Sequence, residues 1–108
     1  MNYAPEEHEF VYEGFGLSKA NDPDEGYFGY VYLYGKEEEL YFSHSPCMDK
    51  FVRAIYKKNN EEVFELYLEG ISTVSFGGYE GQRTIDIGYK DCTVKIFYNP
   101  RPRLMYID

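Results

Sequence analysis

The sequence has no tryptophan, two cysteines, two histidines, and 11 basic side chains against 19 acidic ones in 108 residues. Each shortage excludes something. Cys47 and Cys92 cannot build the multi-bridge framework of a small secreted domain, and in a reducing compartment both stay free. His44 and Cys47 have an H-x-x-C spacing, but a structural zinc needs four ligands, and only His8 and Cys92 remain as further nitrogen or sulfur donors. No metal and no cofactor is expected, and both cysteines read as small packing residues. The net charge of −8 argues against a basic face that meets nucleic acid or an anionic membrane directly. No apolar run approaches the ~20 residues of a spanning helix. The opening Met1-Asn2-Tyr3-Ala4-Pro5-Glu6-Glu7 lacks the basic region and apolar core of a signal peptide, so a cytoplasmic chain is expected.

What is plentiful is aromatic and acidic. Thirteen Tyr and eight Phe bring the aromatic share to 19%. The length fits one domain over residues 1–108, burying roughly 65% of its unfolded surface. The charge is uneven: residues 1–49 hold 11 acids and two bases, whereas residues 50–108 hold eight acids and nine bases. Such asymmetry points to an interaction face.

The pattern of residues predicts the following elements. Residues 9–15 read as an early strand, closed by Gly14-Phe15-Gly16. Residues 19–26 form a polar loop with Pro23 and Gly26 as punctuation. Residues 27–34 are the clearest strand, and residues 39–43 return as its hairpin partner. A helix is expected next. Ser45 offers an N-cap, Pro46 suits the first helical position, and Asp49 complements the helix start. Met48, Phe51, Val52, Ile55 and Tyr56 then follow a helical stripe, with Lys57 and Lys58 at its end. Residues 63–68 alternate with period two, and further strands are expected at 71–76, 83–89, 93–98 and 104–107, with a Gly-rich turn at 77–81. The fold class read from this order is α+β: a mostly antiparallel sheet of about seven or eight strands packed on a single central helix.

The strand at 27–34 places Tyr27, Gly29, Val31 and Leu33 on one face and Phe28, Tyr30, Tyr32 and Tyr34 on the other. The aliphatic face reads as the one that meets the helix. That leaves the aromatic face beside the acidic turn Glu37-Glu38-Glu39. Tyr is favoured at protein interfaces for its area, stiffness and polar tip, although cross-strand aromatic pairing explains it as well. The candidate partner-binding residues are therefore Tyr30, Tyr32, Tyr34, Glu37, Glu38 and Glu39, with Asp22, Asp24 and Glu25 of the polar loop. A row of carboxylates can occupy the basic groove that a nucleic-acid-handling protein holds for phosphates.

Other chemistries fit less well. Counted from Asn21, an EF-hand pattern fails because Pro23 takes the third position and Tyr32 the twelfth. Residues 77–81 lack the lysine and following helix of a phosphate loop. Cys47 beside His44 is the nearest thing to a nucleophile, but no third, orienting group is visible, so no enzyme is expected.

The hairpin of residues 26–43, the stretch Ser45-Pro46-Cys47-Met48-Asp49-Lys50-Phe51 and the strand of residues 63–68 resemble the small acidic inhibitor proteins of bacteria and their phages. These are the immunity proteins of contact-dependent and polymorphic toxin systems and the anti-CRISPR proteins that mimic DNA. The likeness spans roughly residues 26–98 and is one of layout and composition. It implies a non-enzymatic inhibitor that covers the basic surface of a protein partner, either a nuclease toxin or a nucleic-acid-binding effector. A small-molecule-binding domain, a structural subunit and a Cys47-dependent enzyme are the alternatives.

Overall fold

The computed structural model describes residues 4–18, 26–45 and 51–107. Among them a short helix, α1 (Glu7–Tyr12), precedes nine strands. These are β1 (Gly16–Leu17), β2 (Phe28–Leu33), β3 (Glu38–Ser45), β4 (Phe51–Lys58), β5 (Glu61–Glu69), β6 (Ile71–Tyr79), β7 (Gln82–Tyr89), β8 (Cys92–Asn99) and β9 (Arg103–Ile107). The first five make one sheet in chain order and the last four another, and every neighbouring pair is antiparallel. The chain changes sheets at Gly70, whose φ of 69° is open to glycine at little cost.

Alternation builds the core. Leu40 and Phe42 of β3, Val52 and Ala54 of β4, Ile85 and Ile87 of β7, and Val94 and Ile96 of β8 are all fully buried in one cluster. Inward side chains of two facing sheets thus interdigitate as in a β-sandwich. The α+β class with a central helix is overturned: the layer that covers the first sheet is a second sheet.

The segment assigned to that helix is the central strand β4, with residues 46–50 outside the described ones. Val52, Ala54 and Tyr56 point inward at period two, while Phe51 and Ile55 lie on the opposite face. With apolar residues on both faces, helical and strand periods coincide over so short a stretch. Partners decide: β3 and β5 hydrogen-bond β4 from both sides. Asn59 and Asn60, which follow the lysines at the end of the expected helix, have φ of 55° and 65° and form the tight turn of the β4–β5 hairpin. Likewise Gly77 and Gly78 lie inside β6, and the turn falls on Glu80-Gly81.

The expected strand at 9–15 is also corrected, to α1. The Glu6 N–H donates to Glu9 Oε2 at 2.8 Å, satisfying a group at the helix start, and Gly14 at φ 104° ends it. Six residues make a marginal helix alone. Packing holds it: Phe10 is fully buried between the sheets, stacked on Tyr30 at 3.9 Å with edge contacts to Phe15 and Phe76.

A polar node anchors the segment after α1. Glu13 Oε1 accepts from the buried Tyr98 hydroxyl at 2.5 Å and from Arg83 Nε at 3.2 Å. Glu13→Ala is expected to cost about 1–3 kcal/mol, because it leaves a buried hydroxyl without its acceptor. Tyr98→Phe in the Glu13→Ala background should cost less than in the wild type. Urea unfolding of the four-member cycle measures this coupling, and strict additivity would show that Glu13 is not the acceptor that matters.

Candidate functional site

The acidic tip lies in the turn between β2 and β3. The Tyr34 N–H donates to the Glu38 carbonyl at 3.0 Å, and the Asn59 N–H donates to the Glu37 carbonyl at 2.6 Å, so two hairpin turns brace each other. Register decides the charge. Glu38 lies opposite Lys58 and Glu39 opposite Lys57, while those lysines face Glu61 and Glu62 on their other side. Opposite charges in such cross-strand positions attract. The tip is therefore a ladder of mixed sign with an acidic excess, around a depression of about 80 Å³ lined by Lys36, Glu37, Glu38, Glu39, Lys57 and Asn60.

Glu38 is taken up by the fold. Its Oε2 accepts from the Tyr56 hydroxyl and from Arg101 Nη2. The hydrogen bond from Tyr56, then that from Arg101, holds its carboxyl below the usual carboxylate range. Arg101, between β8 and β9, also donates to the Tyr56 hydroxyl at 3.1 Å and lies 5.3 Å from the centre of the Tyr34 ring. Tyr34 in turn donates to the Tyr98 carbonyl at 2.6 Å, and burial pushes its hydroxyl pKa up. Glu38 and Arg101 thus fasten one sheet to the other, leaving Glu37 and Glu39 as the solvent-directed carboxylates of the tip.

The faces of β2 are the reverse of those expected. Tyr30 is 1% exposed, and Phe28, Tyr32 and Tyr34 pack against the core. Burial, with a smaller contribution from Glu7, pushes the Tyr30 hydroxyl up to about 12. A second sheet about 10 Å away needs large side chains to fill the gap, and the aromatic face supplies them. The face with Val31 and Leu33 looks outward instead. Asp22, Asp24, Glu25 and Cys47 lie outside the described residues. Cys92 Sγ donates to the Tyr89 carbonyl at 3.1 Å. Among the described residues, no three His, Cys, Asp or Glu side chains come together to hold a metal ion, and no helix is long and apolar enough to cross a membrane.

The sequence reading passed over the outer face of the five-stranded sheet. There Phe51 stacks on Tyr67 at 5.7 Å and touches Tyr27 at 5.5 Å, and Arg53 pairs with Glu65 at 2.6 Å. The signal was present in β5, whose wet face carries Val63, Glu65, Tyr67 and Glu69. Phe51 was hidden by its assignment to a helix stripe. Among described residues, the β2–β5 stretch (26–45 and 51–69) holds seven acids and four bases, and the β6–β9 stretch (71–107) three acids and five bases. Among the described residues the five-stranded layer is thus the more acidic of the two, while Glu6, Glu7, Glu9 and Glu13, which also feed the charge asymmetry of the sequence, belong to α1 and its two ends.

No family model and no curated protein matches the chain. A solved structure does, at the level of fold. It is described as a contact-dependent growth inhibition toxin–immunity protein complex from Klebsiella pneumoniae 342, and a chain of it is similar over 97% of this chain and 95% of that chain, with a TM-score of 0.76 at 16% identity. The toxin-immunity resemblance drawn from the sequence therefore has a counterpart in structure: the sandwich is a fold found in such a complex.

Proposed function

We propose that this chain is the immunity member of a toxin–immunity pair, a non-enzymatic inhibitor that binds a toxin and covers its basic, nucleic-acid-handling or active-site surface. The observation that carries the reading is the shared fold with a chain of a toxin–immunity complex over nearly the whole length of both. The acidic five-stranded layer supports the inhibitor over the toxin role, since complementary charge speeds the meeting of inhibitor and basic target. The DNA-mimicking anti-CRISPR alternative draws no support from the fold match, which is to a chain of a toxin–immunity complex.

The test begins with the tagged chain purified from the cells that encode it. A stoichiometric protein is expected to accompany it, to arrest growth when expressed alone, and to be harmless when the chain is co-expressed. Recovery of the chain alone, or of a partner without toxicity, overturns the reading. With that toxin in hand, the double change Glu37→Lys/Glu39→Lys should slow association roughly tenfold at low salt, with the gap shrinking as the ~8 Å screening length of physiological salt is approached. Glu38 is left intact because it holds the sheets together.

A further inference from the structure

The two outer faces of the sandwich are built differently. On the four-stranded side the middle of the face is closed by internal pairing: Lys95 Nζ is 2.9 Å from Asp86 Oδ2, Thr84 donates to the same carboxylate at 2.6 Å, and the Arg103 guanidinium covers the Phe97 ring at 4.1 Å, with exposed apolar side chains only on the edge strand β9, at Tyr106 and Ile107, among the described residues. On the five-stranded side, apolar side chains stand in water. Leu33 is 64% exposed, Val63 57% and Tyr67 52%. Alternation puts all three on the same face as Phe51, Arg53 and Ile55.

Around these side chains the charge has one dominant sign. On this face β5 contributes Glu62, Glu65 and Glu69, all exposed, and no base. Arg53 answers Glu65, and Lys57 sits between Glu39 and Glu62, so Glu69 and one of the pair Glu39 and Glu62 are left over. Tyr and Arg at the centre of a patch, apolar neighbours and a charged rim are the composition of a binding hot spot. The size also fits. β3 and β4 have eight residues each, and at about 3.4 Å per residue and about 4.8 Å per ladder the face measures roughly 27 by 19 Å. That is roughly 500 Å² before side-chain relief, the scale of the ~800 Å² each partner gives to a standard interface.

We infer that the outer face of the five-stranded sheet, centred on Phe51, Arg53, Val63 and Tyr67, is the docking surface for the toxin, and that it meets a basic protein surface with an apolar centre. This rests on the functional reading above and adds the place of contact. Tyr67 and Val63 supply desolvated area, and the β5 carboxylates supply complementary charge to lysines or arginines at the toxin's rim.

The experiment uses the toxin recovered with the chain, in kinetic binding assays beside thermal melts of each variant. Tyr67→Ala is expected to weaken binding tenfold or more, mainly through faster dissociation, with its melting midpoint close to wild type. Val63→Lys, which leaves the Phe51–Tyr67 stack untouched, should do the same. Glu69→Lys should slow association in a salt-dependent way. Tyr12→Ala on α1 and Met105→Ala on the opposite sheet should bind as wild type. If Tyr67→Ala and Val63→Lys bind unchanged, or if Tyr12→Ala or Met105→Ala is the variant that weakens binding, this surface assignment fails while the immunity reading stands. A dimer of the chain in sedimentation, dissociated by Tyr67→Ala, would give the face to a second copy and overturn it as well. Absence of any toxic partner sinks the functional reading first, and the assignment with it.

Discussion

Tyr30→Ala is expected to lower the free energy of unfolding by about 3–5 kcal/mol, the cost of removing a buried ring and leaving a cavity. Tyr30 is 1% exposed and lies flat on Phe10, with ring planes 6° apart, and Phe10 also stacks against Phe42 at 5.5 Å. The ring is a wall between the first sheet and the helix that plugs the sandwich, so its loss uncouples α1 from β2 and β3. Against a total stability of roughly 5–15 kcal/mol, the variant would keep only part of its folded population on warming. Urea unfolding gives the number, and Tyr30→Phe, which keeps the ring, should recover most of it. A loss under about 1 kcal/mol for Tyr30→Ala would mean that this aromatic face does not carry the core.

That residue also marks what a sequence can and cannot show. The strands around residues 27–34, 39–43, 63–68, 71–76, 83–89 and 93–98 were legible because β-branched and aromatic runs bounded by Gly, Asn and Pro are a local signal. Which face of a strand is buried is not local. It depended on whether a helix or a second sheet covered it, and the mistaken helix at β4 turned β2 inside out. Phe51, Val52, Ile55 and Tyr56 satisfy a helical stripe and a two-faced central strand equally well, and only the hydrogen-bonding neighbours on both sides resolve it. The sharper clue was Asn59-Asn60, a pair suited to two successive positive φ values and so to a hairpin.

Cross-strand register is no more local than burial. Glu37, Glu38 and Glu39 were recognisable as an acidic turn. Their cross-strand partners Lys57 and Lys58 and the clasp of Glu38 by Tyr56 and Arg101 arise from register and from a loop of the other sheet. Sequence proximity therefore overstated the bare charge of the tip, while the β5 carboxylates, spread at strand spacing, read as no more than the wet face of a strand. A charge that is already paired has little left for a partner; one held out on a strand edge keeps its field for the encounter.

Stability is expected to fall by about 3 kcal/mol as the pH drops from about 7 to about 4, through a single side chain, His44. His44 is 1% exposed, its Nδ1 has no hydrogen-bond partner among the described residues, and the rings of Phe10, Phe28 and Phe42 surround it at 5.3–5.9 Å. Burial there disfavours the imidazolium and brings the pKa down from 6.5 to about 4. The sign follows from which state takes up the proton. Below pH about 6.5 the unfolded chain protonates its histidine and the folded chain does not, so acid favours unfolding until the buried ring itself protonates near pH 4. At about 1.36 kcal/mol per pH unit, that interval sets the size of the effect. Glu38 contributes in a separate, lower range, because a depressed carboxylate loses its stabilising charge only as the pH falls through its folded pKa. Urea unfolding between pH 7 and pH 4.5 in His44→Phe, which replaces the imidazole by a ring with no proton to bind, should show a much flatter dependence than the wild type. Equal slopes in the two proteins would mean that His44 titrates normally in the fold, and an imidazole resonance that moves with a midpoint near 6.5 and is lost in His44→Phe would say the same.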